Sequence, residues 1–250
     1  SIVGGRHLID GDPLLVSYDL AIDSIFFTWA TRPPKKVGRI LYASSSAAYP
    51  VHLQAKNDAR ALVENCIDFE ETLGKPDMTY GWSKLTGEYL ARLAHERYGL
   101  HVACVRPFSG YGEDQDLSYP VPAIALRIAR HDDPIEIWGD GSQVRDFIHI
   151  DDCVDAMFKI LGKVKNGHGV NIGSGILTSF NDLAALFCKI EKHNAKIKHL
   201  IDKPTGVRVR YANTAKLNNE IGWKPKISLR EGMKRVLDHA HYRLDNKNVS

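Results

Sequence analysis

Tyr80 and Lys84 form a Y-x-x-x-K pair, a spacing at which two side chains can share proton chemistry. Residues four apart lie on one face of a helix, about 6 Å apart along its axis. We therefore expect the Lys84 ammonium beside the Tyr80 phenol, where a cation lowers a pKa that is normally about 10. Such a phenol can act as a general acid or base near neutral pH. For so short a pattern, a chance pair on a solvated helix face is the alternative.

A run of three serines at 44–46 lies about 35 residues before this pair and can add a hydroxyl to the same site. It ends the segment 38–44, a short apolar run typical of a buried parallel strand. The next predicted strand, 100–106, ends in a glycine-rich turn. Ligands of open α/β sheets bind outside the carboxyl ends of strands. We therefore expect the serines, Tyr80 and the loop after Arg106 to converge on one crevice.

Alternating strand and helix patterns predict an α/β architecture with right-handed crossovers. Gly139 and Gly141 indicate a hairpin turn, Asp12 and Asp151 are expected to cap helices, and a polar tail is expected after Leu244. The predicted helices cover 13–29, 57–73, 80–98, 123–130, 151–161, 179–192 and the segment after a capping box at Ser228, and the predicted strands cover 38–44, 100–106, 135–137, 147–150, 170–172 and 197–200.

The composition is that of an ordinary globular protein, 44% hydrophobic and 25% charged. The net charge of +3 is too small to indicate nucleic-acid binding. Four cysteines without C-x-x-C spacing are expected to be reduced core thiols of a cytoplasmic protein. The scattered histidines predict no metal site. We find no apolar run of 18 residues and no signal peptide, so no membrane association is predicted.

Five motifs stand in a fixed order along the chain. They are YASSSAAY at 42–49, YGWSK at 80–84, RPFSGYG at 106–112, GDGSQVRDFIHID at 139–151 and IGWKP at 221–225. Together they resemble the extended short-chain dehydrogenase/reductase family, in its nucleotide-sugar epimerase/dehydratase branch. The resemblance implies the C-terminal part of a Rossmann-like doubly wound parallel sheet with a smaller α/β substrate-binding lobe. The implied partial NAD-binding domain covers 1–107 and 148–176, the lobe covers 108–147 and 177–244, and 245–250 form a tail.

The opening strand, G-x-x-G-x-x-G turn and helix of that family have no counterpart in this sequence. Its first residues resemble the segment that follows the family's fourth strand. Three central strands alone would leave an apolar parallel edge open to solvent, which natural proteins avoid. We therefore expect further residues before Ser1, with a true truncation or a split gene as the alternatives.

The resemblance also implies a site with NAD as cofactor and a nucleotide-diphosphate sugar as substrate. Arg145 and Arg208 match positions that hold the diphosphate, for which the guanidinium fork is suited, with surface ion pairing as the alternative. Trp138 can stack on the base or pack in the core. The implied catalytic residues are Ser45, Tyr80 and Lys84, the implied cofactor contacts are Tyr80, Lys84, Ser44, Arg106 and Pro107, and the implied substrate contacts are Gly5, Ser46, Ser109, Trp138, Arg145 and Arg208.

The two residues directly after Ser45 indicate the reaction. Ser46 and Ala47 stand where dehydratases of the family carry an Asp-Glu pair, and Ala47 also stands where 3,5-epimerases carry a cysteine. Neither side chain moves a proton at neutral pH, so we expect a C4 epimerase that forms a transient 4-keto sugar. The alternatives are an NAD(P)-dependent nucleotide-sugar oxidoreductase, or a cofactor-free binding or scaffold relative if the chain starts at Ser1.

The helices at 13–30 and 80–98 form a dimer interface in many relatives, which implies a homodimer. Its apolar face would come from aromatic and aliphatic side chains that could equally pack inward. These are Phe26, Phe27, Trp29, Tyr89 and Leu93.

Overall fold

The computed structural model describes residues 4, 6–34, 37–55 and 60–247; Gly5, an implied substrate contact, lies outside the described residues. The helices carry the side chains that cover the sheets and line the site. They are α1 (Arg6–Gly11), α2 (Pro13–Val16), α3 (Tyr18–Thr31), α4 (Met78–Glu96), α5 (Pro120–Ala129), α6 (Ile150–Lys163), α7 (Phe180–Glu191) and α8 (Leu229–Lys247).

The first layer is a parallel sheet whose strand order is β1-β2-β6. Its strands are β1 (Ile40–Ala43), β2 (Val102–Pro107) and β6 (Asn166–Ile172). Alternate residues of a strand face opposite sides of a sheet. Accordingly, Val102 and Cys104 pack with α3 and α4, whereas Ala103 and Val105 pack with α6. Helices on both faces give the doubly wound arrangement that the sequence predicts.

The second lobe is built around β5 (Val144–His149). This strand pairs in parallel with β3 (Ser109–Tyr111) and β9 (Val209–Arg210), and antiparallel with β7 (Leu177–Ser179). It crosses the predicted boundary between residues 147 and 148. A separate pair joins β4 (Ile135–Trp138) to β8 (Ile197–Leu200) in parallel. Apolar residues of α5, α7 and α8 fill the core of this lobe.

The predicted hairpin at Gly139 and Gly141 is wrong. Both glycines do adopt the left-handed conformation, with φ of 67° and 70°, as a tight turn requires. However, the flanking strands do not pair with each other, because β4 bonds to β8 while β5 belongs to the sheet with β3, β7 and β9. The turn therefore connects two sheets.

The predicted helix at 57–73 is also wrong in its described part, from residue 60 onward. Only the short 3-10 turn Glu64–Cys66 is helical there. Leu62 instead forms an isolated parallel bridge with Ala212; its N–H donates to the Tyr211 carbonyl at 3.0 Å and its carbonyl accepts from Asn213 at 2.9 Å. This pairing with a distant segment overrides the local helical preference.

Most predicted helix ends are confirmed. Asp12 accepts a bond from the Leu15 N–H at 3.0 Å, and Gly99 has the expected left-handed φ of 67° just after α4. The cap of α6 differs, because the His149 ring accepts the Asp151 N–H at 3.2 Å, which makes His149 the N-cap. The last helix continues to Lys247, beyond the start of the predicted tail.

The segment Pro13–Thr31 is long and apolar enough to cross a bilayer by length and composition alone, which the sequence analysis did not anticipate. Its inner side packs on the sheet, where Phe27 is buried 5.8 Å from the Tyr42 ring. Its outer side leaves Ile25 and Trp29 more than 60% exposed. Of the residues considered for a dimer face, Phe27 therefore packs inward.

Candidate active site

Ser45 and Tyr80 meet at the carboxyl end of β1. The Ser45 oxygen accepts the Ala47 N–H at 3.1 Å, and its hydroxyl lies close enough to the Tyr80 phenol to lower the phenol's pKa. The start of α4 is fixed to the serine segment, because Asp77 N–H donates to the Ala47 carbonyl at 3.0 Å. Gly81 permits this approach, since a Cβ there would lie only 2.4 Å from the Ala47 oxygen. The glycine beside Tyr80 thus brings phenol and serine together.

The Tyr80 pKa is raised to about 12, chiefly because the phenol is buried. The hydrogen bond from Ser45 and the charge of Arg210 lower the pKa, but burial outweighs both. Lys84 directs its Nζ to the Ala43 carbonyl at 3.1 Å, and Nζ lies 5.6 Å from the Tyr80 ring centroid. The predicted lowering of the Tyr80 pKa by Lys84 is therefore wrong for this structure, although the two side chains are neighbours.

Ser44 and Arg106, both implied cofactor contacts, lie inside a buried polar network. The Ser44 hydroxyl donates to Glu88, and Arg106 grips the same carboxylate, with Nε–Oε1 at 2.9 Å and Nη2–Oε2 at 2.6 Å. Arg106 Nη1 also donates to the Tyr49 hydroxyl and the Glu64 carbonyl, each at 2.9 Å. Both side chains are buried and neither lines the cavity beside Tyr80. Their contacts therefore fit a structural role instead of the implied one.

A cavity of about 570 Å³ opens beside Tyr80, a size typical of small-molecule sites. Its wall combines hydroxyl groups with an indole and guanidinium groups. Among the described residues, no cluster of three or more side chains is suited to a metal ion. The sequence-predicted residues that the cavity brings together are Ser45, Ser46, Tyr80, Pro107, Ser109, Trp138 and Arg145.

Arg145 and Arg210 are neighbours across the paired strands β5 and β9, whose register aligns them. Both line the cavity. Arg145 Nη2 donates to the Thr205 carbonyl at 3.1 Å, and Arg210 Nη2 binds the Asp77 carboxylate at 2.9 Å. Arg210 was not predicted from the sequence, although an arginine two residues after Arg208 would project from the same side of an extended strand.

Arg208, the second arginine predicted to hold a diphosphate, is outside the cavity wall. It makes a bidentate pair with Asp140, with Nη1–Oδ1 at 2.9 Å and Nη2–Oδ2 at 3.0 Å. The hydrogen bond from Arg208 holds the pKa of Asp140 well below its usual range. This contact corresponds to the surface ion pairing that the sequence left open.

The model of the "NAD dependent epimerase/dehydratase family" matches residues 24–173. A GDP-mannose 3,5-epimerase of Arabidopsis thaliana is 29% identical to this chain over 236 residues, which are 93% of this chain and 61% of the relative. A putative UDP-glucose 4-epimerase of Methanocaldococcus jannaschii is 36% identical over 169 residues, 65% of this chain and 53% of the relative. The chain spans about three-fifths of the length of such curated relatives.

Solved structures have the same fold. A UDP-glucose 4-epimerase of Thermotoga maritima with UDP-glucose gives a TM-score of 0.82 at 23% identity, over 99% of this chain and 77% of that one. A dTDP-glucose 4,6-dehydratase of Streptomyces venezuelae, with NAD and TYD bound, gives 0.83 at 20% identity, over 99% of this chain and 72% of that one. At sequence identities of 20% and 23%, the similarity to these two structures shows a shared fold only.

Proposed function

Because the chain belongs to the NAD dependent epimerase/dehydratase family, we propose that it is the catalytic and substrate-binding part of an NAD-dependent nucleotide-sugar C4 epimerase. The observation that carries the proposal is the contact between Ser45 and Tyr80 on the wall of a cavity that also holds Arg145 and Arg210. Relatives named as nucleotide-sugar epimerases support the substrate class.

Tyr80 must be a phenolate to take the proton of the sugar C4 hydroxyl, and the positive charge of a bound NAD would lower its pKa and favour that form. Ser45 donates a hydrogen bond to the same sugar oxygen. Bound NAD supplies the hydride acceptor for the C4 carbon. Tyr80 keeps the proton while C4 is a ketone and returns it when the alcohol re-forms with the opposite configuration.

The chain offers Tyr80 and Pro107 from the cavity wall for the nicotinamide end of NAD, together with Lys84, which lies beside Tyr80 but outside that wall. Lys84 is a buried ammonium with three N–H donors, one of which serves the Ala43 carbonyl. The others suit the hydroxyl groups of a ribose. Pro107 lines the cavity at the end of β2. These residues are therefore chemically suited to the nicotinamide and ribose of NAD.

Arg145 and Arg210 are suited to the diphosphate of the substrate. Their alignment on neighbouring strands brings two positive forks to one side of the cavity, and such forks bind phosphate oxygens in pairs. Trp138 offers an aromatic face in the same wall. Arg210 thus takes the place that the sequence analysis gave to Arg208.

The choice of C4 chemistry depends on what lies next to Ser45. Ser46 and Ala47 line the cavity there, and neither carries a group that transfers protons at neutral pH. Elimination of water or inversion beside the ketone needs such a group. The Ser45–Tyr80 set suffices for oxidation and reduction at one carbon.

We also propose a homodimer through the outer faces of α3 and α4. Tyr18, Ile25 and Trp29 on α3, with Tyr89 on α4, are large apolar side chains left exposed. Such a surface marks an interface. Sedimentation at micromolar concentration should give the mass of two subunits; a monomer that binds lipid vesicles would contradict the proposal. The cytoplasmic location expected from cysteine usage stays a prediction.

The test is a conversion assay with the full encoded protein and NAD. UDP-, GDP-, dTDP- and CDP-hexoses are incubated separately, and the products are separated by chromatography. We expect the C4 epimer of one of them without accumulation of NADH. Steady NADH production would select the oxidoreductase alternative, and protein that binds no NAD would select the scaffold alternative.

A further inference from the structure

Arg210, one of the two guanidinium groups suited to a diphosphate, is paired with a carboxylate in the cavity wall. Its Nη2 lies 2.9 Å from Asp77 Oδ2, and its Nε donates to Gln54 Oε1. Gln54 is fixed in turn, because its Nε2 donates to the Tyr49 carbonyl at 3.1 Å and the Pro50 carbonyl at 3.2 Å. The paired side chains are only 12% and 9% exposed, so solvent screens their attraction weakly.

Asp77 also stands directly before α4, the helix that carries Tyr80. Its N–H donates to the Ala47 carbonyl at 3.0 Å, and its carbonyl accepts the Gly81 N–H at 2.8 Å, which makes it the N-cap residue. An N-cap aspartate usually accepts an N–H from the second or third helical residue, here Thr79 or Tyr80. The Asp77 side chain makes no such bond. Its carboxylate serves Arg210 and not the helix that it precedes.

The start of α4 is irregular in a second respect. Met78, its first residue, has a left-handed φ of 54°, which residues with a side chain rarely adopt. The first residue of a regular helix has right-handed backbone angles. By contrast, α2 begins with an intact cap, in which Asp12 Oδ1 accepts the Leu15 N–H at 3.0 Å. The ion pair with Arg210 therefore coincides with an incomplete N-terminus of the catalytic helix.

A diphosphate bound at Arg210 would compete with Asp77 for the same guanidinium. Two negative groups at one cation repel each other, and most strongly where solvent screening is weak. A displaced carboxylate has an alternative in the first turn of α4, whose N–H groups lack helical partners. The positive end of the helix dipole also favours a carboxylate there. Asp77 therefore has two arrangements, and the charge at Arg210 decides between them.

We propose that Asp77 is a positioning residue that exchanges partners: it pairs with Arg210 before the substrate binds, and it caps α4 once a diphosphate takes Arg210. This inference rests on the proposed function, which puts a diphosphate at Arg210. It goes further, because it links binding at the arginine end to the placement of the helix that carries the Tyr80 phenol.

Calorimetric titration of the full encoded protein with UDP, GDP, dTDP and CDP measures the competition. For the tightest of the four, Asp77→Asn and Asp77→Ala should each strengthen binding about five- to tenfold, because the competing carboxylate is gone. The matched control is Asp140→Asn, which breaks the pair with Arg208 outside the cavity wall and should change affinity less than about twofold.

Turnover distinguishes the two Asp77 variants. Asparagine can still cap a helix, whereas alanine cannot. Asp77→Asn should therefore keep turnover within about threefold of the wild type, while Asp77→Ala should lose about tenfold although it binds more tightly. An ion pair with a merely structural role would give equal losses of turnover in both variants and no gain in affinity.

Amide hydrogen exchange, followed by NMR, detects the cap without catalysis. Saturation with the same nucleotide should slow exchange at the Thr79 or Tyr80 N–H in the wild type and in Asp77→Asn. The same nucleotide should not slow it in Asp77→Ala. Should the alanine variant not fold, the affinity gain and the slower exchange of Asp77→Asn are both still required.

The outcomes separate the inference from the function on which it rests. Unchanged or weaker affinity in Asp77→Asn would overturn the inference alone. So would slower exchange that persists in Asp77→Ala. Wild type and Asp77→Asn that both bind none of the four nucleotides would overturn the proposed function as well.

Discussion

The two ends of the cavity are built from different chemical groups. At the Tyr80 end the groups are neutral hydroxyls, carried by α4 and by the segment after β1. At the other end, Arg145 and Arg210 present guanidinium groups from two paired strands. Proton chemistry and charge binding therefore rest on different side chains, although Arg210 joins the two ends through its ion pair with Asp77. Substitutions of the hydroxyl groups should act mainly on turnover, and substitutions of the guanidinium groups mainly on affinity.

The largest effect is expected at the Tyr80 end. Tyr80→Phe removes the group that holds the proton and should reduce turnover about 10³-fold, within the range for general acid/base residues. Affinity for the nucleoside diphosphate should stay within about twofold, because no charge at the arginine end changes. Steady-state kinetics and calorimetry measure the two quantities. Equal losses of turnover and of affinity would contradict the assignment of proton chemistry and charge binding to different side chains.

Glu88→Gln tests the buried network behind the serines. It leaves Arg106 as a buried cation without its carboxylate, which should cost about 3–5 kcal/mol of unfolding free energy. The matched control is Asp140→Asn, which breaks the exposed pair with Arg208 and should cost far less unfolding free energy. Urea denaturation measures both. Similar losses would show that burial does not distinguish the two pairs.

Substitutions at the arginine end should change the affinity for nucleoside diphosphates. Arg145→Gln should weaken nucleoside diphosphate binding by about 10- to 100-fold, because charge-assisted hydrogen bonds to phosphate are lost. Arg210→Gln should weaken it less, since its charge is shared with Asp77. Arg208→Gln, outside the wall, is the control and should have no measurable effect. A loss with Arg208→Gln as large as with Arg145→Gln would restore the original assignment.

The smallest expected effect is on the titration of Tyr80. The difference in ultraviolet absorbance between wild type and Tyr80→Phe, after rapid pH jumps, should give a phenol pKa of about 12. Because this folded-state pKa exceeds the ordinary value of about 10, Tyr80 stabilises the fold below pH 10, and that contribution is lost as pH rises through about 12. Ser45→Ala should raise the pKa further, since its hydrogen bond lowers it. An unchanged or lower Tyr80 pKa in the Ser45→Ala variant would exclude a contact between Ser45 and Tyr80.

The catalytic end could be predicted from sequence because its geometry is mostly local. Tyr80 and Lys84 share a helix, and Gly81 lets that helix approach the serines. The pKa of Tyr80 was mispredicted because spacing does not reveal burial, nor that Lys84 turns to the Ala43 carbonyl.

The arginine end depends on long-range pairing. The choice between Arg208 and Arg210 is made by the register of β9 against β5, which lies more than 60 residues earlier in the chain. The extended chain at Leu62 likewise depends on Ala212. Residue patterns identify such segments but not their partners, so their roles required the structure.

The most direct test of the account is the conversion of the sugar nucleotide in heavy water, followed by NMR of the product. Hydride removed from C4 and returned to the opposite face exchanges no ring hydrogen with solvent. We therefore expect a C4 epimer without deuterium at C3, C4 or C5, and no product from Tyr80→Phe. Deuterium at C3 or C5, or undiminished turnover by that variant, would contradict the account.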